Sequence, residues 1–289
     1  MKKFTFVLIS LLAGLDAAVA QDGRATYPNM APLEQYLMAD RNAEIELAHS
    51  AAPASISGEV MNKIEPLPRD LEIQLALSAL PPHLRDKATV YVLNPAKGFE
   101  VARKGTSEFH ALVARTGDDT FRSTWPLTEY RDDILYPISF DKAGTKAQMR
   151  IFFDAAEMQA KGTPADELKK IMKDRLKTGY YKAPERAGIS YMLSPILRTY
   201  YNPDESDGVV TVNFPHVMYY APNVSNEDIG AGEPLGPYPI VILHGHHGYM
   251  IQPLGLTERA ALNKEYEEML GRLCKIKEVW CLPKEGNLR

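Results

Sequence analysis

Cysteine is nearly absent. The 289-residue chain has two, Cys274 and Cys281, and their spacing fits neither a zinc knuckle nor a Cys-x-x-Cys redox pair. Beyond the first residues there is no long apolar run, so no later segment is expected to insert in a membrane, which takes about 20 apolar residues. Strong charge of either sign is missing as well. The formal net charge is -4, and nucleic acid is not expected as a partner because phosphates demand a basic field. Gly-x-Ser-x-Gly and His-Glu-x-x-His do not occur, which removes the nucleophile elbow of α/β-hydrolases and the helix of zinc proteases. The strand-like run Pro239-Ile-Val-Ile-Leu-His244-Gly245 looks like an oxyanion-hole segment, but too little chain follows it to supply the rest of such a site.

What is present begins with Lys2 and Lys3, an uncharged apolar run from Phe4 to Leu15, and Ala18-Val19-Ala20. A basic start, an apolar middle and small residues at the cleavage positions make a secretory signal peptide the expectation for residues 1–20. The mature chain then starts near Gln21 and is expected to be periplasmic or secreted. Export permits a disulfide between Cys274 and Cys281. In so short a loop it would contribute about 2–2.5 kcal/mol on the chain-entropy model.

The mature chain divides into an N-terminal helical segment, 21–85, and an α+β domain, 86–289. Leu33 to Ala51 has helical spacing of apolar residues. Its stretch Asn42-Ala-Glu-Ile-Glu-Leu-Ala-His-Ser-Ala-Ala-Pro is echoed by Asp70-Leu-Glu-Ile-Gln-Leu-Ala-Leu-Ser-Ala-Leu-Pro. Two amphipathic helices are implied, each stopped by proline. Ala88–Leu93, Phe99–Arg103 and Phe109–Arg115 read as three strands of an antiparallel meander. Ala143–Lys161 reads as one helix. Thr163-Pro164-Ala165-Asp166 reads as the start of a second helix, capped by Thr163 and stopped at Gly179. Gly188–Leu193 is a short strand. Val209–Tyr220 is the longest strand, an edge or bulged one because it contains Pro215. Ile240–Leu243 and Tyr249–Leu254 form a hairpin around His-Gly-His-His-Gly, and Thr257 caps a last helix to about Lys275. The fold class expected is α+β, a mainly antiparallel sheet with helices packed on one face.

Four of the seven histidines fall in the late strands. A metal site needs imidazoles converging with a carboxylate or thiolate. His216, His244, His246 and His247 are the candidates, although no known ligand spacing joins them. No cofactor is otherwise expected. A hydrolase would need a serine within hydrogen-bond reach of a histidine and a carboxylate behind it; Ser194 and His216 are the candidate catalytic pair, with Asp204, Glu205 and Asp207 nearby in sequence. Asp118-Asp119 and Asp132-Asp133 read as turn chemistry. A binding module would instead use apolar and aromatic groups, and Tyr191, Tyr219 and Tyr220 are its candidate ligand-binding residues, for a small molecule or a protein.

The stretches Glu-Ile-x-Leu-Ala-x-Ser-Ala-x-Pro, Tyr191-Met-Leu-Ser194, Pro215-His216-Val-Met-Tyr-Tyr-Ala-Pro222 and His247-Gly-Tyr-Met-Ile-Gln-Pro-Leu254 together resemble a family of exported bacterial proteins of unknown function. The resemblance spans most of the mature chain and implies no activity. It directs attention to Ser194, His216 and His247. The function expected is that of an exported ligand- or protein-binding module; the alternative is a metal-dependent or serine/histidine hydrolase centred on His216 and His247.

Overall fold

A computed structural model describes residues 64–116, 130–200, 208–232 and 238–283. The expected signal peptide, the helix at 33–51, Asp118-Asp119 and the carboxylates at 204–207 lie outside the described residues.

The described chain enters with α1 (Arg69–Ser78). Leu71 and Leu75, one turn apart, are fully buried; the acids Asp70 and Glu72 sit in the first turn, where the helix dipole favours them. Pro81 caps the following single turn, α2 (Pro82–Arg85), which opens with Pro82. Strands β1 (Thr89–Asn94) and β2 (Gly98–Arg103) form an antiparallel hairpin. The Asn94 side chain accepts from the Ala96 N–H at 3.0 Å, and Gly98 takes the positive φ of 104° that the turn requires.

The third strand departs from a meander. β3 (His110–Ala114) pairs with β1, in parallel, on the side away from β2. The connection crosses beneath the start of β1, with the N–H groups of Thr106 and Ser107 both donating to the Lys87 carbonyl at 2.9 Å. Gly105 permits this crossing: a Cβ there would stand 2.3 Å from the Ala88 carbonyl carbon. β4 (Tyr136–Phe140) completes the sheet in the order β2-β1-β3-β4.

The expected helix 143–161 is two helices, α3 (Lys142–Ala147) and α4 (Met149–Ala160), broken at Gln148. Asp141 caps α3 by accepting from Gly144 N–H at 2.8 Å. α5 (Ala165–Lys177) begins one residue later than expected, and Thr163 makes no side-chain cap. Gly179, with φ 73°, follows its end.

The second sheet has the order β5-β8-β10-β9, all antiparallel: β5 (Ile189–Met192), β8 (His216–Tyr220), β9 (Ile240–Leu243) and β10 (Tyr249–Pro253). The expected strand 209–220 is divided. β7 (Val209–Val212) pairs instead with β6 (Leu197–Tyr200) in a separate ribbon. Pro215, without an N–H, marks where the ladder stops and the chain changes sheets. After β10 the last helix is also two, α6 (Leu256–Glu265) and α7 (Glu267–Ile276); Gly255, not Thr257, occupies the N-cap.

The two four-stranded sheets are joined through side chains at β4 and β5. Ser139 Oγ donates to the Tyr191 carbonyl and accepts from the Tyr191 N–H, each at 3.0 Å. Asp141 accepts from Ile189 N–H at 3.1 Å. On β1 the alternation of side chains sends Tyr91 and Leu93 into one core, with Phe152 and Phe153 of α4 and with Met218 and Ile251 of the second sheet. It sends Val90 into another, with Leu71 and Leu75 of α1 and with Met269, Leu273 and Trp280. The fold is α+β with mainly antiparallel sheets, as expected. Helices cover both faces of the first sheet rather than one. α1 lies before the boundary expected at residue 85, yet shares a core with strands after it. Cys274 and Cys281 are bonded, tying the end of α7 to the 3-10 turn Glu278–Trp280.

Candidate functional site

β8 carries the residues singled out in the sequence, and its alternation sorts them. His216, Met218 and Tyr220 face inward and are buried; Val217 and Tyr219 face outward and are partly exposed.

His216 lies between Met192 of β5 and Pro253 of β10. Its Nδ1 is 2.8 Å from the Phe214 carbonyl, which can only accept, so Nδ1 carries the proton. Burial pushes its pKa down from 6.5 to about 4; the Phe214 bond opposes this, and the nearby Arg259 charge adds to the lowering. The ring is therefore neutral at pH 7. Ser194 is buried, and its Oγ accepts from Ile196 N–H at 3.4 Å, closing a local turn. Among the described residues no hydrogen bond links Ser194 to His216.

The hairpin histidines do not gather around His216. His244 and His246 are exposed. His247 Nε2 donates to the Tyr181 carbonyl at 3.1 Å. Glycine shapes this turn: Gly245 has φ 90°, and a Cβ on Gly248 would lie 2.8 Å from the carbonyl oxygens of Ala221, Leu243 and Gly245. Among the described residues no three His, Cys, Asp or Glu side chains are grouped to hold a metal ion.

The three tyrosines part company. Tyr220 is inward and 4% exposed. Its hydroxyl is 2.5 Å from Ser190 Oγ, and it packs so closely under α3 that a Cβ on Gly144 would meet its oxygen at 1.9 Å. Tyr220 thus faces the core, on the side of β8 opposite Tyr219, as the period of two requires. Tyr191 and Tyr219 share the outward face. Tyr219 pairs with Ile189 on one side and Met250 on the other; Val217 pairs with Tyr191 and Gln252. These six side chains form a partly exposed surface without a charge. Phe109 packs beside Tyr191, ring centroids 6.0 Å apart. Partial burial pushes the Tyr191 hydroxyl pKa up, and the nearby Tyr219 and Asp141 add to this.

No family model, no curated protein and no solved structure matches this chain.

Two polar clusters escaped the sequence reading. Asp132-Asp133 is not simple turn chemistry. Asp133 receives Arg131 on both oxygens (2.9 and 2.8 Å) and Arg198 twice on Oδ2 (2.9 and 2.6 Å). Its carbonyl takes the Trp280 indole N–H at 2.7 Å, and Lys277 reaches Asp132 at 2.6 Å. An open cleft of about 530 Å³ lies over this knot, lined by Tyr130–Asp133 and Lys277–Val279. The second cluster is Asp154, 2% exposed, which accepts from Arg175 at 2.6 Å and from the Tyr181 hydroxyl at 2.9 Å. Burial raises the Asp154 pKa against the pull of Tyr181, Arg150 and Arg175. The available signal was one carboxylate inside the apolar run Ile151-Phe-Phe-Asp-Ala-Ala. A buried charge of this kind needs partners.

Proposed function

We propose that this chain is an exported protein-binding module, without chemistry of its own, whose contact face is the outward side of β5, β8 and β10. One observation carries the reading: Ile189, Tyr191, Val217, Tyr219, Met250 and Gln252 form a partly exposed, uncharged face that contains two tyrosines and a methionine. Protein interfaces are depleted of charge at their centres and enriched in Tyr and Met, and aromatic anchors supply a disproportionate share of the affinity. The partner is a protein with a complementary apolar patch. The export part of the reading is supported by the basic–apolar–small start of the chain and by the Cys274–Cys281 bond, which oxidising compartments sustain. Among the described residues no helix is long and apolar enough to cross a membrane.

The test is photo-crosslinking in the native host. A photoreactive phenylalanine analogue replaces Tyr191, Tyr219 or, as a control, Lys173 on the exposed side of α5. One protein adduct shared by the first two sites and absent from the third is expected. The identified partner, purified, should bind the unmodified chain and lose about tenfold or more in affinity to Tyr219→Ser, the scale of one anchor residue. Equal adducts from all three sites, or unchanged affinity, would remove the reading. Intact-mass analysis of the exported chain should show residues 1–20 gone.

A further inference from the structure

The second sheet ends differently on its two sides. At β5 the edge is sealed against β4 by Ser139 and Asp141. At β9 no further strand follows among the described residues. The peptide groups of Val241 are met instead by a single side chain: Val241 N–H donates to Asn226 Oδ1 at 2.7 Å, and Asn226 Nδ2 donates to the Val241 carbonyl at 3.2 Å. An amide side chain presents one acceptor and one donor, as a peptide group does. Asn226 therefore stands where the next strand would.

We propose that the outer edge of β9 is a strand-pairing site for a second copy of this chain, held closed by Asn226. The strand is Ile-Val-Ile-Leu, without charge. Ile242 is 46% exposed and neighbouring Tyr238 is 72% exposed. Such an edge is a template for another strand. The identical strand suits it best, because antiparallel pairing centred on Val241 makes the contact reciprocal. Each Val241 N–H donates to the other Val241 carbonyl, as in a hydrogen-bonded antiparallel pair. The two-fold arrangement closes on itself. Replacing two Asn226 plugs by this pair keeps both Val241 groups hydrogen-bonded. The ladder stays short, because Pro239 has no N–H and β9 bulges at Ile242 opposite Tyr249 and Met250.

Asn226 is also placed to let go. Its segment, 223–232, is folded on itself: Ser225 N–H donates to Asp228 Oδ2 at 2.8 Å, Asp228 N–H donates to Ser225 Oγ at 3.2 Å, and Ala231 N–H donates to Asn226 O at 2.9 Å. Besides the plug, Asn223 N–H to Gly245 O at 2.8 Å fixes it to the next loop. Releasing the Asn226 side chain from Val241 breaks none of these bonds within the segment.

The experiment is sedimentation velocity on the untagged full chain across a concentration series. Asn226→Ala opens the edge and should self-associate at least about tenfold more tightly than the unaltered protein, the size of one net hydrogen bond. Adding Val241→Pro, which deletes the edge donor, should return it to monomer. A folded Asn226→Ala that sediments as the unaltered protein does at every concentration overturns the proposal. So does an association that Val241→Pro leaves intact. Should Asn226→Ala not fold, Asn226→Ser, whose short hydroxyl cannot bridge both Val241 groups, takes its place and is judged by the same two outcomes.

Discussion

Replacing Asp133 by Asn tests the knot beneath the C-terminal turn. The Asp133 and Arg198 side chains are only 11% and 9% exposed, so this is close to a buried ion pair. Removing one member of such a pair costs about 3–5 kcal/mol, because the other charge is left without compensation. Asp133→Asn leaves Arg198 facing a neutral amide and weakens the grip of Arg131. A second magnitude comes from titration. Burial alone would raise the Asp133 pKa, but the bonds and charges of Arg131 and Arg198 win and lower it from 3.8 to about 2. A carboxyl with a depressed folded-state pKa stabilises the fold above its unfolded pKa, and that contribution fades as pH falls through its folded one. The window is therefore about pH 4 down to 2, and the amount lost is about 2 kcal/mol. Urea unfolding of both proteins at pH 7, 4 and 2.5 reads the difference directly, and other carboxylates cancel in it. The gap should be several kcal/mol at pH 7 and shrink by about 2 kcal/mol at the acid end. A gap under about 1 kcal/mol at pH 7, the value of an exposed pair, or one that does not change with pH, refutes the reasoning.

Buried neutral His216 should make the fold acid-sensitive at a higher pH. With its pKa depressed from 6.5 to about 4, stability falls as pH drops from about 6.5 to 4, by about 3 kcal/mol, and pH-dependent melts of His216→Gln should lack this slope. Cys274→Ser with Cys281→Ser should lose about 2 kcal/mol in denaturant unfolding; no loss would mean the turn at Trp280 is held wholly by its other contacts. Gly144→Ala forces a Cβ onto the Tyr220 hydroxyl and should cost about 1–3 kcal/mol of overpacking, partly recovered on adding Tyr220→Phe; thermal melts of the single and double variants check this.

The legible parts of this protein were local. The helix at Asp70, the hairpin around Asn94–Gly98, the glycine-bound turn at His244–Gly248 and the strand at Gly188–Leu193 all follow from periodicity and turn chemistry acting within a few residues. The misread parts were decided by distant chain. Thr163 and Thr257 have cap chemistry, but the helices start elsewhere. Val209–Tyr220 alternates convincingly, yet its two halves join different sheets. β4 was hidden because Pro137 lies inside Tyr136–Phe140 and argues against a strand, although Tyr136, Ile138 and Phe140 alternate into one core and β4 is an edge strand, where proline is tolerated. The candidate site divides the same way. Alternation along β8 puts Tyr219 on the face opposite His216 and Tyr220 on the same face as His216, so the three candidate tyrosines do not share one surface. It gave no hint that one asparagine on another loop would close the edge of β9.

By itself, then, the amino-acid order points to the α+β class and to most strand positions, because each depends on spacing along one stretch of chain. Only the folded molecule decides that β3 runs parallel to β1, that Asp133 meets Arg198 from 65 residues away, that His216 bonds a carbonyl rather than Ser194, and that Asn226 stands in for a strand. Those outcomes depend on which groups must be satisfied once water is excluded. Their partners come from parts of the chain that no local pattern connects.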